Sequence, residues 1–366
     1  MARCKSERKC PRLRESEYTY IRRSRKRLCL PRWRAPHTRV PPAGPWYIGG
    51  LNGQTFNIVS RGGLAWLEST RLSPLPWLVH AFTTRQGGYS RAPCAGLNLG
   101  LTESDQPERV EQNRQRFLHE LGGGNFEFAS VRQVHSSHSF LVKRSNQGLS
   151  YQLCGAATDT ADIKCPPAGD SVITSESGLL LTIRIADCLP VLLVDPRQRA
   201  VAAVHAGWRG ALARIIEKTV GEMRGTTSSD PQELIAAVGP SIRACCYDVG
   251  EEVVEAFHET FADADSFFRK LPHEPGAAAM NCQSLISARA NPPALAAAYL
   301  PVARLDLTAV AARQLASAGV RQTNILVADY CTACRTDLFF SHRREFGRTG
   351  RQAAAIGIRK TVDGGD

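Results

Sequence analysis

The sequence predicts an α/β or α+β layered domain, and three observations carry that prediction. Short apolar runs alternate with helical patterns along most of the chain, no segment repeats another, and 43% of the 366 residues are apolar. That much apolar chain can bury one large core or two modest ones. No run approaches the roughly 18 consecutive apolar residues of a membrane helix, and the basic start lacks the apolar stretch of a secretory signal. The expectation is therefore a cytoplasmic protein with no membrane partner.

The charge sits almost entirely at one end. Residues 1–40 hold 14 Lys or Arg against 3 Asp or Glu, so nearly all of the net +12 lies there and the remaining 326 residues are close to neutral. Residues 1–45 read as a basic, disordered tail, 46–76 as a linker or domain edge, and 77–360 as the main folded domain. No nucleic-acid-reading motif accompanies the tail, so nucleic acid is not expected as a partner. The twelve cysteines are too dilute, in too long a chain, for a disulfide scaffold, and reduced thiols are expected. Cys331-x-x-Cys334 is a weak signal, because a structural metal site would want a second such pair.

Each element follows from its pattern. Trp77 to Thr84 reads as a strand entering the loop Arg85 to Ser90, where Gly87 and Gly88 permit close approach to a ligand. Asp105-Gln-Pro-Glu108 resembles a capping box, opening a helix with Val110, Phe117, Leu118 and Leu121 on its apolar face and Gly122 as its stop. The polar stretch Arg144 to Gly169 reads as a long loop. Leu179 to Ile185, Pro190 to Asp195 and Ala200 to His205 are strands, the last two joined by a turn, and Arg209 to Met223 is a helix stopped by Gly225. Leu234 to Val238 and Asn324 to Ala328 are further strands; Val253 to Phe261 and Leu307 to Ala318 are helices. Lys270 to Pro301, rich in Ala and Pro, reads as a surface insertion.

The hairpin turning near Arg197 supplies the chemistry. If its strands pair antiparallel about that point, residues whose numbers sum to about 395 face each other, and Cys188 and His205 meet at one end. A thiolate and an imidazole so placed can share a metal or form a nucleophile and base pair. His135, with His138 as competitor, is the third candidate. One Cys and two His would leave an open position, the pattern of a catalytic rather than a structural zinc site.

The strings His80-Ala-Phe-Thr-Thr-Arg85-Gln-Gly-Gly-Tyr-Ser90, Leu97-Asn-Leu-Gly100, Gln133-Val-His135, Ala186-Asp-Cys188, Val204-His-Ala-Gly-Trp-Arg-Gly210, Gly239-Pro-Ser-Ile, Cys245-Cys-Tyr-Asp-Val-Gly250 and Phe340-Ser-His-Arg-Arg344 resemble, in order, the motifs of the laccase-domain proteins, also called polyphenol oxidoreductase-like proteins or peptidoglycan editing factors. The resemblance covers about Trp77 to Arg359. It implies a single-domain layered sandwich with mixed β-sheets, of the cytotoxic necrotizing factor and laccase-domain type, and zinc bound by His135, Cys188 and His205. It also implies a purine nucleoside phosphorylase acting on inosine, adenosine or methylthioadenosine, with adenosine deaminase activity. The chain departs from the family pattern at Arg243-Ala-Cys-Cys-Tyr247, where Gly-Pro usually precedes the cysteines, and at Ala311-Ala312 after the Leu305-Asp-Leu307 motif.

Cys188, His205 and Asp187 are then the expected catalytic residues, and Arg85, Gly87, Gly88 and Arg344 the expected phosphate and substrate ligands, with Arg343 and Arg351 as further cationic candidates. The expected partners are a purine nucleoside and phosphate; the oligomeric state is left open. A Cys188/His205 amidohydrolase acting on peptidoglycan precursors is the rival reading, ahead of a non-enzymatic binding module. A copper oxidase is disfavoured, since Met1, Met223 and Met280 are the only methionines for an axial ligand and no His-x-His pair is present.

Overall fold

The computed structural model describes residues 55–122, 126–146, 148–155, 166–271 and 301–360. Two large sheets stack face to face in it. One has six strands in the spatial order β1 (Phe56–Arg61), β2 (Leu64–Ser69), β3 (Leu78–Thr83), β16 (Gln352–Ile358), β8 (Leu179–Ile185) and β4 (Glu127–Ser130). The other has seven, in the order β15 (Ile325–Val327), β11 (Ile235–Val238), β9 (Leu189–Asp195), β10 (Ala200–Ala206), β7 (Ser171–Thr174), β5 (Ser139–Ser145) and β6 (Gly148–Leu153). Both are mixed: β4 runs parallel to β8, β5 to β7 and β11 to β15, and the other pairs are antiparallel. A small third sheet joins β12 (Asp248–Val249), β14 (Ala303–Leu305) and β13 (Phe268–Lys270).

Strand alternation builds the layers. In β9, Leu192 and Val194 face the six-stranded sheet, where they meet Leu181, Ile183, Ala354 and Ile356, while Leu189, Val191 and Leu193 face outward. The outward face is covered by α3 (Ile215–Thr227), α4 (Glu251–Thr260) and α5 (Leu307–Ser317), through Ile216, Val220, Phe257 and Leu315. On the far side of the six-stranded sheet, α1 (Pro107–Glu120) packs Phe117 against Trp66, Leu180 and Ala355. The result is helix, sheet, sheet, helix, the layered sandwich with mixed sheets that the sequence predicts. Among the described residues, no helix is long and apolar enough to cross a membrane.

Several local expectations are corrected. Residues from Phe56 onward, within the segment expected as a linker or domain edge, form β1 and β2 at the margin of the six-stranded sheet. The polar stretch after Arg144 is not all loop: β5 and β6 pair from Phe140 with Leu153 to Ser145 with Gly148. The helix expected from Arg209 breaks into α2 (Trp208–Leu212) and α3, because Arg214 takes a left-handed conformation at φ 57° between them. Asp105 does not cap α1; its carboxylate accepts from Ser90 Oγ at 2.5 Å and Asn98 Nδ2 at 2.7 Å. The basic tail and nearly all of the insertion expected at 270–301 lie outside the described residues.

The hairpin register is the one that places the site. Ala200 faces Asp195 and His205 faces Pro190, and Asp195 Oδ1 closes the turn by accepting from the amides of Arg197 at 2.8 Å and Gln198 at 3.0 Å.

Candidate metal centre and active-site cavity

His205 is the penultimate residue of β10, and Cys188 lies in the segment Ala186 to Cys188 that carries the chain from β8 in one sheet to β9 in the other. His135 projects from the loop between β4 and β5. These three residues converge. Their donor atoms all lie within 4.8 Å of one another, and Cys188 Sγ is 3.6 Å from His135 Nε2. A tetrahedral zinc with ordinary Zn–S and Zn–N bonds would separate such a sulfur and nitrogen by about 3.6 Å, so the donor set fits the ion. His138 is not part of it.

The group that organises the three was missed from the sequence. Asp170 is fully buried just before β7, and its Oδ1 accepts from His205 Nδ1 at 2.8 Å. That bond leaves the other ring nitrogen of His205 for the centre. The same carboxylate accepts from the backbone amides of His135 at 3.0 Å and Ser136 at 2.6 Å and from Ser136 Oγ at 2.8 Å. One side chain thus orients one ligand and fixes the loop that carries another. Val204 pairs with Ser171 in the β7 and β10 ladder, which places Asp170 beside His205. That pairing joins β10 to a strand just after the Arg144 to Gly169 stretch, where the sequence suggests no element.

Burial and charge oppose each other here. Burial pushes the Cys188 thiol up, but the His205 charge and hydrogen bonds from both histidines outweigh it and hold the thiol at about 6. Burial likewise pushes His205 down, yet the Cys188 thiolate and Asp170 carry it up to about 9. Asp170, pushed up by burial, is held at about 2 by its bonds to His205 and Ser136. In the metal-free chain both shifts favour the thiolate form of Cys188 and the protonated form of His205.

Above the centre opens a cavity of about 520 Å³, within the usual range for small-molecule sites. Arg132, Arg184, Arg343 and Arg351 reach its lining, and Ile242, Tyr247, Trp208 and Leu307 give it apolar and aromatic walls. Asp187 also lines it; its carboxylate accepts from Thr332 Oγ1 at 2.7 Å and the Arg343 amide at 2.8 Å, and burial raises its pKa despite both bonds.

The residues expected to bind phosphate are placed elsewhere. Arg85 is committed to Glu345 at 2.9 Å and to the Thr336 carbonyl, with its guanidinium 4.5 Å from the Phe340 ring centroid. Gly88, at φ +81°, packs so closely that a Cβ would meet the Gly96 carbonyl oxygen at 2.5 Å. Asn113 ties that loop together, accepting from the Tyr89 amide and donating to Ser90 Oγ and the Asn98 carbonyl. Neither Arg85, Gly87, Gly88 nor Arg344 lines the cavity. The glycine-rich loop is a structural brace, and the cavity draws its cations from the Arg132 loop, from β8 and from the C-terminal segment, with Arg132 and Arg184 unforeseen.

A four-layer sandwich that closes a His2Cys donor set beneath a cation-lined cavity defines an enzyme rather than a scaffold. The family described as multi-copper polyphenol oxidoreductase laccase matches residues 79–359. The chain belongs to that laccase-domain family. It is 33% identical over 287 residues to purine nucleoside phosphorylase YlmD of Geobacillus stearothermophilus, covering 78% of this chain and 92% of that protein. It is 31% identical over 281 residues to adenosine deaminase RL5 from an unknown prokaryotic organism, covering 76% and 93%. The crystal structure of YlmD from Geobacillus stearothermophilus superposes with a TM-score of 0.65 at 31% identity, over 84% of this chain and all of that one.

Among the described residues, Met223 on α3 is buried in the core, and no His group beyond His135 and His205 adds to the donor set.

Proposed function

We propose that the protein is a zinc-dependent purine nucleoside phosphorylase that also deaminates adenosine. The observation that carries this reading is the His135, Cys188 and His205 donor set on the floor of a cavity ringed by arginines. Zinc held there would supply Lewis acidity toward the substrate's polar groups or water. The chain's own residues provide the rest. Arg132, Arg184, Arg343 and Arg351 offer charge-assisted donors to phosphate, Tyr247 and Trp208 offer aromatic faces to a purine, and Asp170 holds His205 in one tautomer. Asp187 presents a carboxylate to the cavity and, through the Arg343 amide, holds that arginine's segment in the wall.

The test is to incubate the protein with inosine and adenosine, with and without phosphate, and to separate the products. Phosphate-dependent release of hypoxanthine or adenine and phosphate-independent formation of inosine from adenosine are expected, both abolished by Cys188→Ala together with the zinc of that centre. Arg351→Gln should raise the KM for phosphate by roughly tenfold or more, the worth of one hydrogen bond to a charged group. Turnover surviving Cys188→Ala would move the chemistry to another site.

One observation favours a second reading. Asp170, His205 and Cys188 are aligned as an acid, base and thiol triad, which suits an amidohydrolase acting on peptidoglycan precursors. His135→Ala separates the two: it removes a zinc ligand but keeps that triad, so amide hydrolysis would persist in the variant while nucleoside turnover is lost.

A further inference from the structure

A second donor group lies behind the cavity wall and shares no residue with the first. Cys245, Cys246, Cys331 and Cys334 bring four sulfurs within 4.8 Å of one another. Cys334 Sγ is 3.5 Å from Cys245 Sγ and 3.3 Å from Cys246 Sγ, and all four thiols are free. Four sulfurs bound tetrahedrally to zinc would lie about 3.8 Å apart, whereas a disulfide needs about 2.05 Å. The Cys331-x-x-Cys334 pair, weak by itself in the sequence, thus acquires its partner pair 85 residues upstream of Cys331, from Cys246.

The fold assembles the group deliberately. β11 and β15 are parallel neighbours, so the loops that follow them leave the same end of the sheet. The loops stay paired beyond the strands: the Ser241 amide donates to the Tyr330 carbonyl, and the Thr332 amide to the Ser241 carbonyl. Each then makes a tight turn that gathers its sulfurs. The Cys246 and Tyr247 amides both donate to the Arg243 carbonyl, at 2.8 and 2.9 Å, and the Arg335 amide donates to the Cys331 carbonyl at 3.0 Å. Ile242, Ala333 and the buried Cys331 form a small apolar cluster around them. Four free thiols gathered this closely, one buried, two half-buried and one exposed, present a soft S4 set of the kind that holds zinc tetrahedrally.

We infer that Cys245, Cys246, Cys331 and Cys334 form a closed, structural zinc site that staples the loop after β11 to the loop after β15. Binding releases the thiol protons to solvent and leaves four thiolates on the ion. The staple has a direct route to the cavity. Thr332, between two of the ligands, donates to Asp187, and Ile242 and Tyr247 of the other loop are cavity walls.

The test uses the full chain purified under reducing conditions without chelator, with zinc measured by mass spectrometry. His135→Ala/His205→Ala should retain about one zinc per chain, and Cys246→Ser/Cys334→Ser should lose one equivalent relative to the unmodified protein. The unmodified protein offers a readout independent of variant folding. Cys245, Cys246, Cys331 and Cys334 should resist alkylation by N-ethylmaleimide until the metal is stripped, as mapped on peptides. A His135→Ala/His205→Ala protein that retains no zinc after incubation with zinc, equal alkylation before and after stripping, or a disulfide between any two of the four would each overturn the site.

Discussion

At the scale of single residues, Asp170 bears the most weight. Fully buried itself, it gathers five donors, His205 Nδ1, the amides of Val134, His135 and Ser136, and Ser136 Oγ, from a strand end and a loop that must meet at one point. Asp170→Asn keeps the size but turns one acceptor into a donor facing N–H groups. Metal affinity at the His2Cys centre should fall by about 10–100-fold, as for other residues that support metal ligands. Competition with a chromophoric chelator measures this, and an unchanged affinity would strip Asp170 of its orienting role. Gly207 makes a different demand. A Cβ there would sit 2.5 Å from His135 Cδ2 and 3.0 Å from Cys188 Sγ. Gly207→Ala should therefore empty the centre with little change in the melting temperature of the metal-free protein, since φ at this residue is an ordinary −75°. Zinc content and a thermal melt on the same sample decide it.

At the scale of elements, legibility tracked locality. The β9 and β10 hairpin could be read from its turn and apolar runs, and its register brought Cys188 and His205 together as the spacing implied. Contacts between distant segments could not be read in the same way. Asp170 faces His205 only through the pairing of β7 with β10, and Arg184 reaches the cavity only because β8 belongs to the opposite sheet. The Cys331 pair found its partners through the parallel pairing of β11 and β15, across more than 80 residues. The glycine-rich loop is ambiguous for the converse reason. Gly88 packs closely on the Gly96 and Leu97 backbone and Gly87 on the Gly63 carbonyl and Leu64, and close contact to a ligand would have the same sequence signature.

At the scale of the molecule, the sandwich imposes its own pH dependence. His80 on β3 is buried in the six-stranded sheet, and its Nε2 accepts from the Ser69 amide at 2.8 Å. Burial, the largest influence, brings its pKa down to about 4 from 6.5, against the pull of Glu68. Between pH 6.5 and 4 the unfolded chain binds the proton that the folded one refuses. The stabilising contribution is whole above pH 6.5 and is lost as pH falls through that window, by about 3 kcal/mol. His80→Gln retains an acceptor for Ser69 without a titrating ring, so urea unfolding at pH 7 and pH 4.5 should show a smaller acid loss in the variant. Equal losses would remove His80 from the account.

The crossover from β8 to β9 has a consequence for how such a protein can change over time. Three residues, Ala186 to Cys188, pass the chain from one sheet to the other, and one of them is a candidate metal donor. An insertion or deletion of a single residue there would invert the inward and outward faces of whichever strand shifted, exchanging the shared core for the helix-covered side. The cavity-lining loops that carry Arg132 and Arg343 have lengths that are not locked to a pleat. The length of this crossover is held fixed by two cores and a coordination site at once, so the chemistry can diversify around it only by substitution.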